Sequence, residues 1–305
     1  MSSGGPTGRA VAIGSPRRAP VPLRRATIAA GTVALYWLGQ AGFLVESRGT
    51  RILVDPYLSD SLAQKYKGTA RPHVRMMPPP ASPGELRDID LVIASHGHSD
   101  HLDPGSLGPL AEANPECLFI VPASVAALAE SRGAPGDRII GAEAFCPMEA
   151  AGVGVHPIPS AHESLAIDDH GQLLSLGYVL EMEGIVLFHP GDCVPYPGLL
   201  DNLSRFDVDL GLLPVNGRDP ERSAAGILGN FDLDEAIDLA ERAGFGAALG
   251  HHYGMFDFNT IDESAAAERL NRRAGPPAFE LARIGLRYEV QASVRPVSTG
   301  PRRRS

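Results

Sequence analysis

The sequence predicts an α/β protein of the α+β type, with two β-sheets packed face to face and helices outside them. Three observations carry this. Short apolar runs of strand length, among them "TVALYWLG", "DLVIA" and "VDLGLLPV", recur along the chain and alternate with a few helix-length segments. Turn residues punctuate the runs, as at Arg48-Gly49 and Glu183-Gly184. No linker rich in Gly, Ser or Pro divides the core, so residues 31–292 read as one domain.

In chain order, "TVALYWLG" alternates like a first strand, and "FLVESRGTRILVDPY" follows as two strands joined around Arg48-Gly49. Residues 59–84 are irregular and proline-rich, an insertion that reads as a lid or edge loop. "DLVIASH" is a buried strand. "CLFIVPASVAALAESRG" reads as strand, turn and helix, with Gly133 just past the helix end. "LLSLGYVLEMEGIVLFHPGD" is a hairpin, and "VDLGLLPVNG" is another buried strand. In "FDLDEAIDLAERAG", Asp232 and Glu235 have capping-box spacing and Gly244 ends the helix. "FGAALGHHYG" then reads as strand, "IDESAAAERLNRRAG" as helix and "LRYEV" as a closing strand.

Residues 1–30 hold Arg9, Arg17, Arg18, Arg24 and Arg25 and no acidic residue, which predicts a disordered basic tail; 293–305 predict a second tail. The arginine pairs raise an export signal, but cleavage would remove the first strand, so none is expected. With 36 acidic and 27 basic residues, the net charge of −9 gives no electrostatic case for nucleic acid or an anionic membrane. No apolar run approaches the roughly 20 residues of a membrane span. Cys117, Cys146 and Cys193 form neither a disulfide framework nor a thiolate zinc pattern, which points to a reducing cytoplasm. The expected partner is a small-molecule substrate, and a homo-oligomer is compatible with the sequence.

The chemistry concentrates in "HGHSDH", residues 96–101, at the end of a buried strand. His96 and His98 share a side of the chain, and Asp100 and His101 follow where it turns. Imidazoles suit zinc, manganese and iron, and a carboxylate adds charge. The motif therefore suits two adjacent divalent ions, completed from other strand ends. His162 in "PIPSAHES", Asp192 in "LFHPGDC" and a histidine of "LGHHYG" stand at such ends. A first metal would take His96, His98 and His162; a second would take Asp100, His101 and His252, or else His251, which faces the opposite way on an extended chain. Asp192 would bridge them, and a water would fill the open position that hydrolytic sites keep. Asp55, closing "RILVD", reads either as the acceptor of a liganding histidine's outer N–H or as the opening of the "DPY" turn, and His189 either as a brace behind the ligands or as a satisfied core histidine. His73, His156 and His170 read as surface or loop residues, and Cys193 as a small buried hydrophobe. Trp37 reads as core. Gln40 and Tyr57 stand near strand ends without an assigned role.

Together, "HGHSDH", the "SAH" ending at His162, "GD" at Asp192 and "HHY" containing His252 resemble the metallo-β-lactamase superfamily of hydrolases over about residues 33–290. The resemblance implies a four-layer αββα sandwich of two mixed sheets, with its site at one edge, and selects His252 over His251. "WLGQAGF", "VDPYLSDS", "LPVNGRDPERSAAGILGNFDLDEAIDLA" and "HHYGMF" look like the group around L-ascorbate 6-phosphate lactonase, although Gly250 stands where many relatives have Pro. That group implies lactone or ester hydrolysis (EC 3.1) with manganese or zinc, one or two ions per chain. Asp100 would also orient the nucleophile and pass a proton. Asn216 would stabilise an oxyanion, and Arg218, Asp219, Arg222 and Asn230 would contact an anionic, sugar-like substrate. A phosphodiesterase of the same superfamily is the alternative. A diiron redox protein is disfavoured because that branch usually has Glu where this chain has His98.

Overall fold

The computed structural model describes Gly14, residues 16–19 and residues 23–291. Its strands are β1 (Arg17–Arg18), β2 (Thr32–Gly39), β3 (Gly42–Glu46), β4 (Arg51–Val54), β5 (Leu91–Ile93), β6 (Leu118–Pro122), β7 (Ile139–Ala142), β8 (Met148–Ala150), β9 (Val153–Pro159), β10 (Leu176–Met182), β11 (Ile185–His189), β12 (Leu210–Pro214), β13 (Ala247–His251), β14 (Ala278–Leu281) and β15 (Leu286–Gln291). One sheet runs β1-β15-β2-β3-β4-β5-β6-β7 and the other β14-β13-β12-β11-β10-β9-β8. Both are mixed: β4 to β7 pair in parallel, as do β11 to β14, and the other pairs are antiparallel. Helices flank the sheets, as expected from the sequence.

The period of two along a strand explains why β2 is buried at every position. Val33, Leu35 and Trp37 point into the core between the sheets, where they join Val45, Val54, Tyr178 and Leu187. Ala34, Tyr36 and Leu38 point the other way and join Leu107, Leu110 and Ala129 of the outer helices Leu107–Ala113 and Ala126–Ser131. The helix Leu233–Arg242 starts at Asp232, which accepts from the Glu235 N–H, and packs Ala236, Ile237, Leu239 and Ala240 against the second sheet side of the core.

Two elements differ from expectation. The basic stretch expected to be a disordered tail partly belongs to the fold: Arg17 and Arg18 pair with Arg287 and Leu286, and Leu23 and Ile28 are buried. The cause is Arg51, buried and paired with buried Glu46 at 2.8 Å, whose guanidinium needs further acceptors. The carbonyls of Leu23 and Arg87 supply them. Residues 1–13, 15 and 20–22 of the first expected tail, residue 292 and the whole of the second expected tail, 293–305, lie outside the described residues. The strand expected before His162 is β9, whereas β7, β8 and β14, each of four residues or fewer, were not anticipated. The insertion 59–84 carries the short helix Ser61–Lys65. Among the described residues, no helix is long and apolar enough to cross a membrane.

Parallel strands in each sheet end at one common edge. Asp55 follows β4, His96 follows β5, Asp192 follows β11, Asn216 follows β12 and His252 follows β13. Carboxyl ends of parallel strands are where α/β sheets present ligand sites, and the candidate site forms there.

Candidate metal centre

The chain after β5 folds into a tight turn, with the N–H groups of His101 and Leu102 donating to the His98 carbonyl at 3.2 and 2.8 Å. This turn brings His96, His98, Asp100 and His101 onto one side. Gly191 brings the strand end of β11 alongside. It adopts φ 66°, and a Cβ there would lie 2.4 Å from the Cβ of Ser95, so the approach requires glycine.

Two donor groups result. His96, His98, His162 and Asp192 form one, and Asp100, His101 and His252 the other, with ligand atoms in each within 4.8 Å of one another. Asp192 joins them. Its Oδ2 lies 3.6 Å from Nε2 of His162, and its Oδ1 lies 3.2 and 2.9 Å from Nε2 of His101 and His252. All seven residues named from the sequence therefore converge, and Asp192 stands between the halves.

The outer side of the cluster is hydrogen-bonded, whereas much of its inner side is not. Asp55 accepts from Ser95 N–H at 2.7 Å, from Ser95 Oγ at 2.6 Å and from Nδ1 of His101 at 2.7 Å. That last bond leaves Nε2 of His101 as the atom facing the site. Nε2 of His96 is buried without a hydrogen-bond partner, and Nε2 of His101 and of His252 meet Oδ1 of Asp192 at ion-pair distance without the geometry of a hydrogen bond. Buried polar atoms are normally satisfied. Convergent lone pairs from imidazoles and a carboxylate suit a divalent transition ion, so the residues present fit the metal.

The electrostatics agree. Burial holds His96 well below the ordinary imidazole pKa, lowers His98, and brings His162 down to about 4, so these three offer free lone pairs at neutral pH. Burial would also lower His101, but the carboxylates of Asp192, Asp55 and Asp100 outweigh it and hold its pKa well above normal. In the metal-free protein His101 is then protonated at pH 7, and a cation reaching Nε2 displaces that proton. Metal affinity is expected to tighten as pH rises through neutrality, with proton release on binding. Titration calorimetry in buffers of different ionisation enthalpy reads this directly; identical heats in all buffers would contradict it.

His189 touches no cluster atom. It donates from Nε2 to the Ala41 carbonyl at 2.9 Å and accepts from Gly191 N–H at 3.1 Å, bracing the turn that carries Asp192. His251 is buried in the inter-sheet core, stacked on His189 at 5.2 Å and edge-on to Phe43, so it is His252 that reaches the site. Cys193 is buried, and burial pushes its thiol up to about 11, which leaves it a small hydrophobe rather than a thiolate.

Gln40 is a participant whose role was not assigned from sequence. Its side-chain amide donates to Oδ2 of Asp100 at 2.7 Å, and its backbone carbonyl accepts from His252 N–H and Trp37 Nε1–H, each at 2.9 Å. Gln40, Asp55 and His252 all adopt positive φ, at 52°, 45° and 64°. Such backbone costs about 1 kcal/mol or more per non-glycine residue and tends to gather at functional sites. Gln40→Ala is expected to lower kcat by about 10–100-fold, as loss of a ligand-orienting partner does, while metal content stays unchanged. Metal analysis beside steady-state kinetics checks this.

The five residues expected to contact substrate do not line the cleft. Arg218 forms a two-point ion pair with Glu235 at 2.6 and 2.7 Å. Arg222 pairs with Asp219 and donates to the Asn216 carbonyl and to Asn259 Oδ1 at 2.9 Å. Asp219 also caps the helix Pro220–Ala224. Asn216 bonds Asn230 and Asn259, each at 2.9 Å, and Asn230 accepts from Cys193 N–H at 2.8 Å. Local partners satisfy every one of these side chains, so they build the loop whose tip, Ala225–Leu228, faces the cleft. The Asn216 amide donates to Asn259 and does not line the cleft.

The cleft has a volume of about 560 Å³ and opens over His98, Asp100, His162, Asp192 and His252. Part of its wall is the insertion, including Lys65, Tyr66, Arg71 and His73. His73 is thus a cleft residue, not the simple surface position expected: it stacks on Tyr66 at 4.1 Å. His156 lies half-buried beside Phe206 and His170 is exposed in a turn, both away from the cluster.

A Beta-lactamase superfamily domain model matches residues 50–253. A UPF0173 metal-dependent hydrolase of Myxococcus xanthus is 29% identical over 82% of this chain and 81% of its own length. An N-acyl-phosphatidylethanolamine-hydrolyzing phospholipase D 1 of Caenorhabditis elegans is 24% identical over 74% of this chain, which spans only 65% of that protein's length. Among solved structures, an isothiocyanate hydrolase from Delia radicum gut bacteria shares the fold with a TM-score of 0.63 at 18% identity, covering 81% of this chain and 95% of that one. The chain belongs to the metallo-β-lactamase superfamily and is a metal-dependent hydrolase.

Proposed function

We propose that the protein opens a lactone or cleaves a carboxylic ester of a small, anionic substrate in the cytoplasm. The observation that supports this best is the pair of donor groups sharing Asp192 at the floor of the cleft. His96, His98, His162 and Asp192 would hold one divalent cation, and Asp100, His101 and His252 would hold the second together with Asp192. The imidazole-rich set suits zinc or manganese. When bound, such cations supply Lewis acidity and lower the pKa of a water toward about 7.

The chain's own groups complete the chemistry. Asp100 is held below the usual carboxylate range, because His101 outweighs the opposing effect of burial. It is therefore ionised, and the Gln40 amide fixes its orientation. So placed, it takes a proton from the attacking water and passes it to the leaving alkoxide. Asp55 keeps the proton of His101 on Nδ1. Cys193, with its raised pKa, is no competing nucleophile.

Phosphodiester cleavage is the second reading, favoured by the phospholipase D name of the C. elegans relative. Assays of metal-loaded protein on lactones, carboxylic esters and phosphodiesters separate the two. Turnover of lactones or carboxylic esters supports the first, and turnover of phosphodiesters alone supports the second. Failure of all three classes with metal present contradicts both.

A further inference from the structure

The chain as a whole is acidic, with net charge −9, yet the cleft wall is basic. Among the described residues lining it, the carboxylates are Asp100 and Asp192, both in the metal cluster, and the other charged side chains are Lys65, Arg71 and Arg132. Arg132 is committed, donating to the carbonyls of Gly97 and Leu102 at 2.8 and 2.7 Å. Lys65 and Arg71 differ. Among the described residues neither side chain forms an ion pair or hydrogen bond, and the Lys65 ammonium lies 5.1 Å from the Tyr66 ring centre. Cations facing a concave site, with no carboxylate or hydrogen-bond acceptor of their own, favour an anionic ligand.

The helix carrying Lys65 is tied to the metal turn. Asp103, two residues beyond His101, accepts from Ser59 Oγ at 2.8 Å and Ser61 Oγ at 2.7 Å, which ties the start of helix Ser61–Lys65 to that turn. Next to the cations stands an aromatic wall. His73 lies flat on Tyr66 and edge-on to Phe256 and Phe258 at 5.1 and 4.8 Å. Burial lowers the His73 pKa, so the wall adds little charge of its own.

We infer that Lys65 and Arg71 together bind a compact oxyanion of the substrate, a carboxylate or a phosphate, on the part lying against the Tyr66–His73 stack and away from the scissile bond. The inference rests on the hydrolase reading and moves anion recognition from Arg218 and Arg222 to the insertion. An Arg fork and a mobile ammonium can grip such a group from two sides.

The test uses metal-loaded full-length protein with two probes, phenyl phosphate and benzoate, and two reporters sharing one leaving group, p-nitrophenyl butyrate and the anionic p-nitrophenyl hemisuccinate. Combining Lys65→Ala with Arg71→Ala is expected to weaken binding of at least one probe by about tenfold or more, as loss of charged hydrogen bonds does. The kcat/KM ratio of anionic to neutral ester should fall by a similar factor. Lys65→Arg and Arg71→Lys should retain both properties, and the more affected probe identifies the oxyanion. Unchanged probe affinities and an unchanged ester ratio in the double variant would overturn the inference. If the wild type binds a probe through these residues but hydrolyses no ester, lactone or phosphodiester, the anion site stands and the hydrolase reading fails.

Discussion

Asp192→Asn is expected to strip cations from both halves of the centre and to lower kcat/KM by roughly 10³-fold or more, since metal catalysis depends on the bound ion itself. The substitution keeps shape and removes charge. Asp192 is the side chain both donor groups share, within 3.6 Å of a nitrogen in each. Burial alone would raise its pKa, but His101 and His252 outweigh that and hold it well below the carboxylate range. It is thus an anion at all ordinary pH. An amide would leave Asp100 as the one remaining carboxylate among imidazoles. Metal analysis after gel filtration checks the loss, and chelated wild type serves as the folding control. A variant that keeps its metal and its rate would remove Asp192 from the centre.

Asp55→Ala is expected to cost about 3–5 kcal/mol of stability, the range for removing one partner of a buried charged network. Ser95 N–H, Ser95 Oγ and Nδ1 of His101 all donate to this carboxylate, and all are buried. Ser95 Oγ also lies 3.0 Å from Nδ1 of His96 and 3.4 Å from Nδ1 of His101, but both histidines then compete for one hydroxyl and the Ser95 N–H loses its acceptor. The melting temperature should fall by roughly 10 °C, and cation affinity by about 10–100-fold, because His101 loses its orienting partner. Asp55 adopts φ 45°, a conformation that Asn tolerates and Ala does not. Asp55→Asn should therefore lose less stability than Asp55→Ala while still weakening metal binding. Equal destabilisation by the two variants would contradict the backbone part of the account.

Much of this was legible in the sequence because the motif is local. Four donors sit within "HGHSDH", and the turn that gathers them needs no distant contact. His162, Asp192 and His252 could be placed because each follows a strand, and the family pattern fixed which histidine of the pair faces the site. Strand parity gives the physical reason: His251 ends β13 and points into the core. The loop residues were not legible in the same way. An arginine beside a site looks the same in sequence whether it faces ligand or neighbour. Glu235, 17 residues after Arg218, decided the matter by forming the two-point pair. Gln40 and His73 were missed because their roles depend on left-handed backbone that no composition signal marks. The short strands β7 and β8 carry exposed and half-buried residues and lack the apolar runs that betray a buried strand.

The most direct measurement is a crystal structure of protein supplied with zinc or manganese, with anomalous data collected at the absorption edge of that metal. The account predicts anomalous density between His96, His98, His162 and Asp192, and between Asp100, His101, His252 and Asp192. A fully folded protein, given either metal at neutral pH, that shows no density at these seven side chains would contradict it.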